Sequence, residues 1–269
     1  MLIAMTSAKG APGVTTAALA LALSWPRRTV LAELDPAGGD VLAGYGRGEV
    51  SAGGLAELEL AARRGGPARH LEAHLLQLDA GARVRLLPGL TDPIGARHVD
   101  WHRLAGALAA IDGGTTDALA DCGRLGAEHF PRDAVRRAAA VIVVSRSSLR
   151  AVRAATHAVA ALKAESASGA GVCALAAVVV AAGEPYGERE IGDALGIPVL
   201  GALPRDDKAA SVLSDGVPAG RSFHQSALLR GAREVAARVA EFAARHEAIL
   251  SPPAQVPAPV HPIGHEHVR

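Results

Sequence analysis

The run Leu2-Ile3-Ala4-Met5-Thr6-Ser7-Ala8-Lys9-Gly10-Ala11-Pro12-Gly13-Val14-Thr15-Thr16 opens the chain and decides its fold. An apolar stretch of strand length leads into a Gly/Pro loop, and an Ala/Leu run of helical length follows. A strand, a glycine loop and a helix N-terminus in that order aim successive backbone N–H groups inward, at the positive end of a helix dipole. That arrangement suits a polyphosphate. Thr15 stands where its hydroxyl can ligate Mg²⁺. The general phosphate-loop pattern carries a lysine directly before that threonine; here the position is Val14.

After this opening strand at 2–6, short apolar runs recur at 29–34, 83–87, 118–121, 139–144, 174–181 and 198–201. They alternate with longer Ala-rich stretches at 15–24, 55–64, 68–78, 101–111, 149–164, 188–195 and 226–249, which are expected to be helices. Most strand runs are continuously apolar, the pattern of strands buried on both faces. The expected class is therefore α/β: a doubly wound, mostly parallel sheet with helices on both faces, in one domain over residues 1–250. Hydrophobic residues make up 49% of the chain and aromatics only 3%, so the core must be built from Ala, Val, Leu and Ile. In the last helix Leu229, Val235, Val239 and Phe242 mark an inner face, and Arg233, Glu234, Arg238, Glu241 and Arg245 an outer one. Residues 251–269, rich in Pro and His, are expected to be a disordered tail.

The net charge of +1 gives no general pull toward nucleic acid or an anionic membrane. Cys122 and Cys173 form no CxxC pair, which fits buried thiols in a reducing compartment. Two uncharged runs, 10–25 and 166–183, imitate export or membrane segments. In the first, Gly10-Ala11-Pro12-Gly13 breaks a signal helix at its start; the second reads as a loop followed by a buried strand. The chain is thus expected to be cytoplasmic, without stable membrane insertion. His261, His265 and His267 read as part of the solvated tail.

Lys9-Gly10-Ala11-Pro12-Gly13-Val14-Thr15-Thr16 resembles the deviant Walker A loop of the ParA/MinD family of P-loop ATPases, which runs Lys-Gly-Gly-x-Gly-Lys-Thr-Thr. Lys9 matches the family's early lysine, which reaches a dimer partner's nucleotide. Ala11 replaces the second glycine and Val14 the second lysine. Glu33-Leu34-Asp35-Pro36-Ala37-Gly38 is similar to the family's Asp-x-Asp-Pro-x-Gly segment, whose acidic groups sit by the γ-phosphate and the attacking water. Asp117 to Arg124 resembles the Walker B strand and second switch, with Asp121 as the Mg²⁺ holder through water and Gly123 as the switch glycine. Ser145-Arg146-Ser147-Ser148-Leu149 looks like the helix cap after the next strand. Residues 190–206 are similar to the segment leading to the last strand and the base-binding loop. The resemblance spans residues 1–250. It departs after the sixth strand, where the family often has an adenine-reading Asn and this chain has Ala181, Ala182 and Gly183.

The resemblance implies catalytic roles for Lys9, Glu33 and Asp35. It implies nucleotide contacts at Gly10, Ala11, Pro12, Gly13, Val14, Thr15, Thr16, Pro204 and Asp206, and Mg²⁺ at Thr15 and Asp121. ATP and Mg²⁺ are the expected cofactors. The expected partners are a second copy or a related, lysine-complete ATPase, a protein cargo or adaptor, and DNA. Two readings stay open. One is an ATP-dependent dimer switch that positions a cargo, DNA or a secretion or pilus apparatus, with weak or absent hydrolysis. The other is a non-hydrolysing scaffold that pairs with another protein. Losing one charge-assisted phosphate contact costs about 1.5–3 kcal/mol, roughly 10- to 100-fold in affinity. Turnover suffers more than binding, because developing negative charge is left unstabilised.

Overall fold

The opening strand forms as expected. In the computed structural model, which describes residues 1–9, 13–48, 53–167, 174–183 and 185–250, β1 (Leu2–Ser7) lies at the centre of an eight-stranded sheet. The chain continues through α1 (Val14–Leu23), β2 (Arg28–Glu33), α2 (Leu55–Ala62), β3 (Leu76–Gln77), β4 (Val84–Leu87) and α3 (Trp101–Ala109). Then come β5 (Thr116–Arg124), α4 (Arg132–Arg137), β6 (Ala140–Arg146), α5 (Leu149–Ala167) and β7 (Ala174–Val180). It ends with α6 (Glu188–Leu195), β8 (Val199–Leu203), α7 (Asp207–Ser214) and α8 (Ala227–Leu250). The spatial order is β3-β4-β2-β5-β1-β6-β7-β8, with every neighbouring pair parallel except β3–β4. This is the doubly wound sheet the sequence predicts.

Burial alternates along the strands. Leu2 and Ala4 of β1 face one core, which is closed by α2 to α6; Ile3 and Met5 face a second, closed by α1, α7 and α8. Helix α1 is buried on almost every side, because it lies between the sheet and α7 and α8. Its alanines explain that position: with side chains this small, a helix can approach sheet and neighbouring helices closely. Helix α8 has the two faces expected. Leu229, Val235, Val239 and Phe242 are in the core, and the named charged residues are exposed.

One local expectation is corrected. The helix expected at 68–78 is instead two 3₁₀ turns, Pro67–Arg69 and Leu71–His74, followed by β3. The reason is tertiary. The edge of β4 offers unpaired backbone groups, and Leu76 and Gln77 pair antiparallel with Leu86 and Arg85. The short helices α4 and α7 add to the helices expected from the apolar periodicity. Helix α7 has a legible signal, since Asp206 is its N-cap and accepts a hydrogen bond from Ala209 N at 3.0 Å. The expectations for Gly10, Ala11, Pro12, Cys173 and the tail 251–269 lie outside the described residues.

At the N-terminal end of β5, Asp117 is fully buried. Its carboxylate accepts hydrogen bonds from the Met1 ammonium at 3.1 Å, Trp25 Nε1 at 2.9 Å and Arg27 Nε at 2.9 Å, and a further one from Arg27 Nη2. This cluster ties β1, the α1–β2 turn and β5 together at the end of the sheet opposite the glycine loop. No helix among the described residues is long and apolar enough to cross a membrane.

Candidate functional site

The C-terminal ends of β1, β2 and β5 converge on the start of α1. Gly13, the N-cap of α1, has φ 109°, a left-handed value that favours glycine. Val14 follows and is only 5% exposed, packed into the core shared with Ile3, Met5 and Ala17. Its side chain is part of the apolar interior beneath the loop. Thr15 is half-buried, and its hydroxyl lies near enough to the Asp121 carboxylate to favour its charged form.

Asp121 itself is buried, and its Oδ1 accepts from Gly123 N at 3.0 Å. Burial pushes its carboxyl up to about 7; the Thr15 and Gly123 bonds oppose that rise, and nearby Asp35 and Glu33 add to it. The register between β1 and β5 shifts here, from Met5↔Asp121 to Ser7↔Arg124, which bulges β5 at Cys122 and Gly123. Gly123 has φ 63°, and a Cβ there would lie 2.1 Å from Asp35 Oδ2. Only glycine lets Asp35 sit beside Asp121. The carbonyl of Gly123 is held by Thr6 Oγ1 at 2.9 Å.

The two carboxylates at the end of β2 differ. Glu33 is 2% exposed. Its Oε1 accepts from Asp40 N at 2.7 Å and Val41 N at 2.8 Å, and its Oε2 from Gly89 N at 3.2 Å. Burial pushes its carboxyl up, and those three backbone N–H groups pull it back down. Around it the loops after β2 and β4 touch backbone to backbone: a Cβ on Gly39 would meet Gly89 N at 2.8 Å. The Glu33 carboxylate thus pins two loops. Asp35 is half-buried, and among the described residues its Oδ1 accepts from Ala37 N at 2.8 Å while Oδ2 has no hydrogen-bond partner.

A cleft of about 590 Å³ starts at Gly13, Thr16 and Ala17 and ends at Pro204 to Asp207, after β8. The structure thus brings Gly13, Thr16, Pro204 and Asp206 to one cavity. Asp206, however, spends both oxygens on backbone. Besides capping α7, its Oδ2 accepts from Ala227 N at 3.1 Å and Leu228 N at 3.5 Å at the start of α8. It shapes the loop and has little left for a ligand. The wall from β6 and α5 adds Arg146, Ser147 and Arg150. From sequence this stretch reads only as a helix cap; the signal it holds is two arginines four residues apart after a buried strand. Lys9 is not in this cleft. It is exposed and lines a neighbouring cavity of about 500 Å³ with Arg132, His157 and Glu165.

No family model matches the sequence, and no curated protein matches it by sequence. Solved structures do match. The septum site-determining protein MinD of Pyrococcus horikoshii OT3, complexed with Mg-ADP, is similar at TM-score 0.71 and 19% identity, over 91% of this chain and 97% of that one. A ParA family ATPase from Chlorobium tepidum TLS is similar at TM-score 0.68 and 18% identity, over 88% and 98%. The ATP complex of a McdA variant from Cyanothece is similar at TM-score 0.64 and 12% identity, over 89% and 96%. The chain has the P-loop fold of these ATPases along nearly its whole described length.

Proposed function

We propose that this chain is a cytoplasmic nucleotide switch of the MinD/ParA type, which binds ATP with Mg²⁺ between the start of α1 and the Pro204–Asp207 loop. The observation that carries the reading is the meeting of Thr15, Asp121 and Asp35 at the start of α1, together with a cleft that runs from Gly13 and Thr16 to Pro204–Asp207. The residues present fit the group. The cleft volume suits a nucleotide, and a hydroxyl paired with a buried carboxylate is an oxygen donor set suited to Mg²⁺. Thr15 and Asp121 would hold the metal, which when bound neutralises phosphate charge. Asp35, whose Oδ2 is left over among the described residues, is the group to orient water. Glu33 positions the two loops around it. Titration of ATP into the protein with Mg²⁺ is expected to give saturable binding that weakens at least tenfold on chelation. Absence of binding at millimolar nucleotide would overturn the reading and favour a scaffold.

Hydrolysis is proposed to be slow or absent. Val14 carries no charge and packs into the core, so position 14 leaves the transferring phosphoryl group unsupported. The same observation favours the second reading, a non-hydrolysing scaffold that pairs with another protein. Under the switch reading the site closes across a dimer. Lys9 faces a different cavity from the cleft of its own chain, which suits a residue that serves a partner's nucleotide. A homodimer is the first expectation and a heterodimer with a lysine-complete relative its rival. The output is a protein cargo or adaptor, DNA, or a secretion or pilus apparatus. Light scattering is expected to show wild type dimerising in saturating ATP and Lys9→Ala remaining monomeric with its fold intact. A wild type that stays monomeric at tens of micromolar, or a Lys9→Ala that dimerises equally well, counts against the self-dimer.

A further inference from the structure

A nucleoside polyphosphate carries several negative charges, and position 14 supplies none to meet them. Val14 is in the core, and Lys9 lines another cavity. Two other cations stand on the wall of the cleft itself. Arg146 ends β6, and Arg150 lies in the first turn of α5. Both side chains are exposed, and neither guanidinium makes an ion pair or hydrogen bond among the described residues. The third arginine of the cleft, Arg205, is engaged by Asp207 at 3.2 Å. The acidic groups of the cleft are also committed: Asp207 to Arg205, and Asp206 to three backbone N–H groups. Three arginines against two aspartates leave the cleft net positive, and Arg146 and Arg150 are the two of its cations not paired with a carboxylate among the described residues. Guanidinium groups present a planar fork of donors that matches phosphate oxygens two at a time, which a lone ammonium cannot do.

We propose that Arg146 and Arg150 are the phosphate-binding cations of this cleft and stand in for the lysine absent at position 14. The proposal rests on the nucleotide reading above and adds to it. The positive side-chain charge that meets the phosphates comes from the β6–α5 wall of this cleft, and affinity rises with phosphate number through these two residues.

The test titrates adenosine, ADP and ATP, each with Mg²⁺, into wild type, Arg146→Gln, Arg150→Gln and the double variant. Both side chains are exposed, so unfolding midpoints should stay close to wild type. The double variant is expected to bind ADP and ATP about 10- to 100-fold more weakly, with adenosine unaffected. Arg146→Lys and Arg150→Lys are expected to recover part of the loss. ATP affinity unchanged in the double variant overturns the proposal while leaving the nucleotide site standing, as does equal weakening of adenosine. Failure of wild type to bind any of the three overturns both.

Discussion

Asp121→Asn is expected to stabilise the nucleotide-free protein at pH 8 while removing the Mg²⁺-dependent share of nucleotide binding. Burial raises the Asp121 carboxyl from its usual 3.8 to about 7. Between those values the folded state holds a proton that the unfolded chain has already released. Stability therefore falls as pH rises through that window and levels off above about 7. A tenfold change in proton affinity is worth about 1.4 kcal/mol, so the ionised carboxylate costs on the order of 2–4 kcal/mol at pH 8. Asn keeps an oxygen for the Gly123 N–H, and it carries no charge to desolvate. Urea unfolding of wild type and Asp121→Asn at pH 5 and pH 8 checks this. The stabilising gap should be large at pH 8 and small at pH 5. An equal gap at both values would show that desolvation of Asp121 is not what the substitution relieves. The destabilisation is the cost of holding a negative charge ready where a cation is to be placed.

Asp117→Ala should act in the opposite direction and at the opposite end of the sheet. Here the buried carboxylate is fully partnered, by the Met1 ammonium, the Trp25 indole and the Arg27 guanidinium. Removing it leaves a buried ammonium and an indole N–H without an acceptor. Breaking a buried ion pair from one side costs about 3–5 kcal/mol. Chemical denaturation should show that loss as a lower midpoint with the slope unchanged. Asp117→Asn should fall between the two, since it keeps acceptors but not the charge. The folded fraction should bind nucleotide as wild type does. A loss below about 1 kcal/mol would indicate that water replaces the carboxylate easily.

Much of the site is legible in the chain as a set of residue types in order. Thr15 follows the first strand and Asp121 lies in β5, and in the fold they meet. Gly123 reads as a switch glycine, and its left-handed φ and close approach to Asp35 give that a physical basis. What the residue types conceal is how each carboxylate is used. Glu33 and Asp35 read as equivalent acids at a strand end. In the fold Glu33 is buried under three backbone N–H groups, while Asp35 accepts one at Oδ1 and among the described residues has Oδ2 unengaged. Asp206 reads as a base-side contact and is the cap of α7 and an anchor for α8. Arg146 is legible as a residue but not as part of the cleft.

The alternation of strands and helices, the parallel sheet, the two faces of α8 and the place of the glycine loop are all written in the order of the residues. They follow from local periodicity and from apolar runs, which act over a few neighbouring residues. It took the assembled fold to bring 76–77 into the sheet, to turn Val14 toward the core, and to part Lys9 from the Gly13–Asp206 cleft. The same assembly set Arg146 and Arg150 on the cavity that begins at Gly13. Each of those facts depends on which strand lies beside which. The order β5-β1-β6 brings together segments more than 100 residues apart. A carboxylate's partners, and the direction a side chain takes at a strand end, are fixed by that crossing and not by the residues beside it in the chain.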